Sequence, residues 1–143
     1  MKRFLVMNLA LVASAVFAQQ SPVGVWRSID DKTGEAKAEI RIVESGGALS
    51  GRIEKRLLKD AKPDDVCKEC KDERKDKPIL GLEIIRGARL AAGGDAWEGG
   101  KILDPENGKE YTLRLATIEG GQKLQVRGYI GPFYRTQTWI RVN

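Results

Sequence analysis

Apolar and polar residues alternate with a period of two along most of the chain after residue 22, and no other feature constrains the fold as strongly. Ala38, Ile40 and Ile42, for example, alternate with Glu39 and Arg41. Successive side chains of a β-strand point to opposite faces, so this pattern is typical of half-buried strands. Turns rich in glycine and acidic residues separate the runs at short intervals, at 30–34, 44–47, 104–108 and 119–121. The pattern predicts an all-β protein.

The alternating runs predict about eight strands, beginning near residues 23, 38, 49, 79, 97, 111, 124 and 134. The run 79–85 is the ambiguous one, because its apolar spacing suits either a buried strand or one short helix. About eight antiparallel strands in sequence order close into an up-and-down barrel without exposed edges, whose interior is filled by side chains or by one small ligand. We therefore expect one barrel domain over residues 19–143.

The N-terminal segment has the layout of a secretory signal peptide. Lys2 and Arg3 precede the apolar run 4–17, and Ala18 offers a small residue for cleavage. The run is shorter than the stretch of about 20 residues that spans a membrane. An uncleaved N-terminal anchor is the alternative. We predict that residues 1–18 are removed and that the protein is periplasmic or secreted, without stable membrane insertion.

The complete absence of histidine constrains function. It excludes Ser–His and Cys–His nucleophilic pairs, two-histidine zinc motifs and histidine ligation of haem. Paired carboxylates, as in glycoside hydrolysis, stay open because they need no histidine. No catalytic residue and no cofactor is predicted, and we expect that the protein is not an enzyme.

A block of charged residues covers 55–77, with nine basic and seven acidic side chains. A nucleic-acid site needs positive charge clustered on one face. Because the two signs nearly cancel, the block predicts a solvated loop and no nucleic-acid partner.

Cys67 and Cys70, the only cysteines, lie within this loop. Nearby cysteines in an oxidising compartment most often pair, so a disulfide is predicted. A thioredoxin-type role needs a strand–helix context, and a four-ligand zinc site needs two further Cys or His residues. Redox or metal use remains the alternative. The acidic turns 30–35 and 104–110 carry oxygen ligands but do not match an EF-hand loop, so no metal site is predicted.

A polar group near the C-terminus comes from two consecutive strands. If it faces the interior, it forms an arginine-bearing cavity suited to an anionic ligand. If it faces outward, its arginines pair with acids on neighbouring strands. The apolar residues of 124–130 favour the outward interpretation. In each strand the members share one phase of the alternation: Arg127 and Tyr129, then Arg135, Gln137 and Trp139.

Six segments together resemble the DUF2147 family (a domain of unknown function) of exported bacterial proteins: residues 24–26, 30–34, 67–70, 100–105, 126–131 and 135–139. The resemblance implies a lipocalin-like, calycin-type barrel and implies no activity. It is densest around residues 126–139, which makes the five polar residues there the candidate ligand-binding group.

A second resemblance concerns the start of the first strand. Lipocalin-type barrels place a Gly-x-Trp motif there and a basic residue near the end of the last strand. Gly24 and Trp26, with Arg141 or Arg135, match that arrangement. A guanidinium over an indole gains about 0.5–2 kcal/mol, so the pair would close one end of the barrel. Its role would be structural.

Two function classes follow from these observations. The first is a binding module for a small apolar or amphipathic molecule, hydrophobic or anionic. The second is a structural or interaction protein of the cell envelope, with a filled barrel and the charged loop as its contact surface. A large internal pocket would favour the first class, and a packed interior with an ordered loop would favour the second.

Overall fold

The computed structural model describes residues 21–143 and forms a closed barrel of eight strands. The predicted signal peptide over 1–18 lies outside the described residues. The strands are β1 (Gly24–Ile29), β2 (Ala36–Ser45), β3 (Ala48–Arg56), β4 (Glu83–Leu90), β5 (Trp97–Leu103), β6 (Glu110–Ile118), β7 (Lys123–Ile130) and β8 (Phe133–Arg141). A 3-10 turn, Glu119–Gly121, joins β6 to β7.

Every strand pairs antiparallel with the next in sequence, and β8 returns to pair with β1. The last pairing is short, with Trp26 opposite Arg141 and Arg27 opposite Ile140. Backbone hydrogen bonds between Val25 and Asn143 extend it. The predicted all-β, eight-stranded, up-and-down antiparallel barrel is confirmed.

The apolar residues of the alternating runs face the barrel interior, and the polar residues between them face solvent. Ile40 and Ile42 of β2 are buried, whereas Arg41 between them is exposed. In β7, Leu124 and Val126 are buried in the same way. The core therefore lies inside the barrel, formed by one apolar side chain from every second strand position.

The ambiguous run 79–85 is neither one strand nor a helix. β4 begins only at Glu83, and residues 79–82 form a turn before it. Gly81 has a φ of +87°, a value that glycine adopts easily. Its N–H donates to the carbonyl of Ile53, and the N–H of Ile53 donates to the carbonyl of Leu82. The turn is thus fastened to β3 before β4 starts.

The two ends of the barrel differ. At the first, which we call the closed end, lie the start of β1, the C-terminus and the β2–β3, β4–β5 and β6–β7 turns. At the second, which we call the mouth, lie the β1–β2, β5–β6 and β7–β8 turns and the long loop 57–82. Within residues 21–143, no helix is long and apolar enough to cross a membrane.

Candidate functional site

A cavity opens at the mouth and reaches down into the barrel. About 120 Å³ of it is open to the centre of a water molecule. Most of its wall is apolar, so it offers a ligand more contact surface than hydrogen bonds. The deeper wall is formed by Ala38, Ile40, Ile53, Ile84, Val126 and Trp139.

Trp139 is buried in this wall, and its polar edge has a partner. Its indole Nε1 donates to Oε1 of Gln137 at 3.0 Å. The next inward-facing residue toward the mouth is Arg135, so β8 presents a guanidinium, an amide and an indole in that order from the mouth inward. The strand thus carries a polarity gradient along the cavity wall.

Arg135 is bound by an acid from a different turn. Its Nε donates to Oδ2 of Asp31 at 3.2 Å, and its Nη2 donates to Oδ1 of the same carboxylate. The hydrogen bond from Arg135, and to a lesser degree one from Gln137, lowers the pKa of Asp31 below its ordinary value. The β1–β2 turn is thereby tied to the cavity wall.

The register divides the five candidate ligand-binding residues between two faces. Gln137 lies opposite Val126 and Arg135 opposite Gly128, and these residues line the cavity with Trp139. Arg127 lies opposite Thr136, on the outside. The outward interpretation that the sequence favours is therefore correct for Arg127 and Tyr129 and wrong for Arg135, Gln137 and Trp139, which face inward.

The reason is the two-residue turn between β7 and β8. Because Ile130 pairs with Phe133, every odd-numbered residue of β7 lies opposite an even-numbered residue of β8. The odd-numbered residues of β7 and the odd-numbered residues of β8 therefore lie on opposite faces of the sheet. The Gly131-Pro132 turn was the sequence signal that predicts this.

On the outer face, Arg127 and Tyr129 belong to a small aromatic cluster. The Nε of Arg127 donates to Oγ1 of Thr136 at 3.0 Å, and its Cζ lies 4.5 Å from the ring centroid of Tyr134. The rings of Tyr129 and Tyr134 are 5.5 Å apart. These contacts satisfy Arg127 on the surface, away from the cavity.

Four polar residues that line the cavity were missed by the sequence analysis: Ser28, Lys37, Arg56 and Tyr111. Tyr111 continues the inward phase of β6, so alternation alone could have found it. Arg56 does not follow the phase of Ile53, because a bulge between β2 and β3 turns it inward opposite Ala38. Such a bulge leaves no mark in the sequence.

Arg56 organises the loop 57–82. Its Nη1 donates to Oδ2 of Asp65 at 2.6 Å, and its Nη2 donates to Oε1 of Glu106 at 3.0 Å. It therefore joins the loop to the β5–β6 turn. Leu58 and Ile79 of the loop contribute to the cavity wall.

The predicted disulfide between Cys67 and Cys70 is confirmed. Both cysteines are buried in the core cluster, where they pack against the β5–β6 turn. Gly108 of that turn has a φ of +72°, and a Cβ on it would lie 2.0 Å from the carbonyl oxygen of Glu69. The disulfide segment thus rests directly on the barrel rim rather than standing free in solvent.

Arg74 is a buried charge in the same loop, which sequence reasoning treated as wholly solvated. Its Nη2 donates to Asp72 at 2.6 Å and lies 3.2 Å from Glu110, and its Nη1 donates to the carbonyl of Glu83 at 2.9 Å. These bonds hold the loop against β4 and β6. The prediction of a solvated loop is wrong for this residue, because it finds partners on the barrel.

At the closed end, the structure places Arg141, and not Arg135, over Trp26. The guanidinium Cζ lies 4.2 Å from the indole centroid, and Trp26 is completely buried. Gly24 has a φ of +139°, and a Cβ there would lie 2.6 Å from the carbonyl oxygen of Asn143. Glycine is thus required where the start of β1 approaches Asn143.

The two acidic turns use their carboxylate oxygens within the turn or on an arginine, as Asp31 does with Arg135 and Glu106 with Arg56. Asp30 accepts from the N–H groups of Lys32 and Thr33, and Asp104 accepts from that of Glu106. Among residues 21–143, no group of three or more acidic or cysteine side chains is arranged to hold a metal ion.

A closed eight-stranded barrel, plugged at one end and open at the other into an apolar cavity, defines a lipocalin-like protein. The family model described as an uncharacterized protein conserved in bacteria, DUF2147, matches residues 24–141, and the chain belongs to that family. Among solved structures, it is similar to one described as "Protein HP1028 from the human pathogen Helicobacter pylori belongs to the lipocalin family". The TM-score is 0.73 at 17% identity, with 87% of this chain and 84% of that chain covered, a likeness in fold alone. A search of the curated proteins found no match.

Proposed function

We propose that this protein is a binding module for a small apolar or amphipathic molecule. The observation that supports this most strongly is the cavity. It is largely apolar, about 120 Å³ of it is open to the centre of a water molecule, and it opens at the mouth of a barrel whose other end is closed by Trp26 and Arg141. A ligand would bury its apolar part against the isoleucines and Trp139, and would leave its polar end among the charged groups of the mouth.

Binding without chemistry is part of this proposal. Both arginines of the mouth are engaged in structural pairs, Arg56 with Asp65 and Glu106 and Arg135 with Asp31. No nucleophile with an adjacent base lines the cavity among the residues named above. The open cavity also argues against the alternative of a filled barrel that acts only through its charged loop.

We further propose that the protein works outside the cytoplasm. The disulfide between Cys67 and Cys70 supports this, because disulfides persist in oxidising compartments. The signal peptide predicted from residues 1–18 agrees with it. Peptide sequencing of the N-terminus of protein from periplasmic extracts tests it, with Gln19 as the expected first residue.

The binding proposal is tested by titrating octan-1-ol into the purified protein and following heat or Trp fluorescence. Val126→Phe fills the cavity, and Val43→Phe makes the same change on the exposed face of β2. Val126→Phe should abolish binding, whereas Val43→Phe should preserve it. Ile102→Phe at the cavity wall serves as a second filled variant, should Val126→Phe not fold. Equal binding by the filled and control variants would overturn the proposal.

A further inference from the structure

The ion pair of Arg135 and Asp31 joins two segments that are far apart in sequence. Arg135 lies on β8 and Asp31 in the β1–β2 turn, and the guanidinium contacts both oxygens of the carboxylate. This two-point geometry is how arginine recognises a carboxylate on any molecule, protein or ligand. Asp31 thus occupies a carboxylate-binding position at the rim of the cavity.

Of the two cavity-lining arginines, Arg135 is better placed than Arg56 to change partners. Its side chain is 45% exposed, whereas that of Arg56 is 11% exposed and holds the loop 57–82 through Asp65 and Glu106. Releasing Arg56 would loosen the loop. Releasing Arg135 from Asp31 would cost one partly exposed ion pair and the weaker hydrogen bond from Gln137 to Asp31.

Asp31 can leave without unfolding its turn. The turn 30–34 is held by Asp30, whose Oδ1 accepts from the N–H groups of Lys32 and Thr33 at 2.8 and 2.9 Å. The N–H of Gly34 also donates to the carbonyl of Asp30. None of these bonds uses the Asp31 side chain, so the turn would keep its shape if the Asp31 carboxylate left Arg135 and Gln137 and turned into solvent.

The polarity gradient along β8 indicates which kind of ligand would replace Asp31 at Arg135. Below Arg135 lie Gln137 and then the buried Trp139, with Ile40 and Val126 on the neighbouring walls. A molecule with an anionic head and a short apolar tail would match this order from the mouth inward. Its head would meet the guanidinium while its tail reached the isoleucines.

We propose that Arg135 binds the carboxylate of an amphipathic ligand, and that Asp31 holds the guanidinium in place until the ligand's carboxylate displaces it. This inference rests on the proposed function and names its ligand class. The exchange keeps Arg135 paired throughout, and the released Asp31 carboxylate is hydrated at the surface. Asp31 is a competitor built into the site, so removing it should strengthen binding.

The test compares octanoate with octan-1-ol at neutral pH, by calorimetric titration of the wild type and two variants. Asp31→Asn should tighten octanoate binding by about tenfold, and Arg135→Gln should weaken it by about tenfold, because charge-assisted pairs carry this much affinity. Because octan-1-ol carries no charge, its affinity should change much less than that of octanoate in both variants. Glu54→Gln and Arg41→Gln make the same charge changes in an outer-face ion pair and serve as controls.

The possible failures are distinct. If octan-1-ol binds, but Asp31→Asn and Arg135→Gln leave octanoate affinity as the controls do, the carboxylate site is overturned and the binding module stands. If the variants change the two ligands equally, the carboxylate site is likewise overturned. If neither ligand binds the wild type, both proposals fail.

Discussion

The guanidinium of Arg141 lies over the indole ring of Trp26, 4.2 Å from its centroid, and joins the last strand to the first. Its three nitrogens donate to backbone carbonyls of Ser21, Val23 and Gly121, at 2.7, 3.1 and 2.6 Å. The indole N–H of Trp26 donates to the carbonyl of Pro22 at 2.8 Å. One side chain thus closes the barrel seam, covers its end and fixes the segment before β1.

Replacing Arg141 should be costly. Arg141→Gln removes the cation–π contact and leaves carbonyls without a donor, for an expected loss of about 3 kcal/mol in the free energy of unfolding. Arg141→Lys should recover less than half of the lost free energy of unfolding. A single ammonium group cannot donate to all three carbonyls as the planar guanidinium does. Urea denaturation measures both. Arg41→Gln, in an exposed ion pair, is the control and should cost less than about 1 kcal/mol. Equal losses at the two positions would refute the closing role.

Gly24 should tolerate no side chain. Gly24→Ala would place a Cβ 2.6 Å from the carbonyl oxygen of Asn143 and 2.7 Å from Nη1 of Arg141. We expect a drop in melting temperature well beyond that of Gly34→Ala, which also has a positive φ but nothing within 4 Å of its Cβ. The Gly34 variant should lose about 1 kcal/mol for its backbone conformation. Similar melting temperatures for the two variants would show that Asn143 and Arg141 do not constrain Gly24.

The disulfide should order its loop more than it stabilises the barrel. A bridge across so few residues removes little unfolded-chain entropy, about 2 kcal/mol at most. The double variant Cys67→Ser/Cys70→Ser should therefore stay folded, with faster amide hydrogen exchange in the loop 57–82 and unchanged exchange in β7. Exchange that rose equally in β7 would mean that the bridge supports the whole barrel.

Acid should release the loop through Asp72. Its hydrogen bonds from Arg74 lower its pKa from 3.8 to about 2. A carboxyl with a lowered folded-state pKa stabilises the fold above about pH 4, and this contribution is lost as the pH falls toward 2. With solvent screening it is on the order of 1 kcal/mol. Asp72→Asn should remove that part of the pH dependence between pH 4 and 2, as measured by urea unfolding. The exposed Asp64→Asn is the control, and an identical pH profile for both would contradict the assignment.

The local sequence pattern predicted the strands because the alternation of side chains between two faces depends only on consecutive residues of one strand. The pattern did not predict the register between neighbouring strands, and this register decides which of their residues lie on the same face of the sheet. Arg127 and Arg135 share a phase in sequence but lie on opposite sides of the sheet, because the two-residue turn pairs odd positions with even ones. The bulge that turns Arg56 inward depends on strand pairing as well.

The loop escaped prediction for a different reason. A nearly neutral block of charge looks the same whether solvent or the barrel supplies its partners. Arg74 is buried because the carbonyl of Glu83, at the start of β4, and the carboxylate of Glu110, 36 residues away on β6, lie beside it. Only the folded barrel brings those strands together.

The central claim, that the barrel binds a small amphipathic molecule at its mouth, is tested most directly by NMR of isoleucine δ1-methyl groups during titration with octan-1-ol. We expect the methyl chemical shifts to change for the isoleucines that line the cavity, Ile40, Ile53, Ile79, Ile84 and Ile102. The methyl chemical shifts of the exposed Ile130 and Ile140 should not change. Shifts confined to Ile130 and Ile140, or no shifts up to the solubility limit of the alcohol, would contradict it.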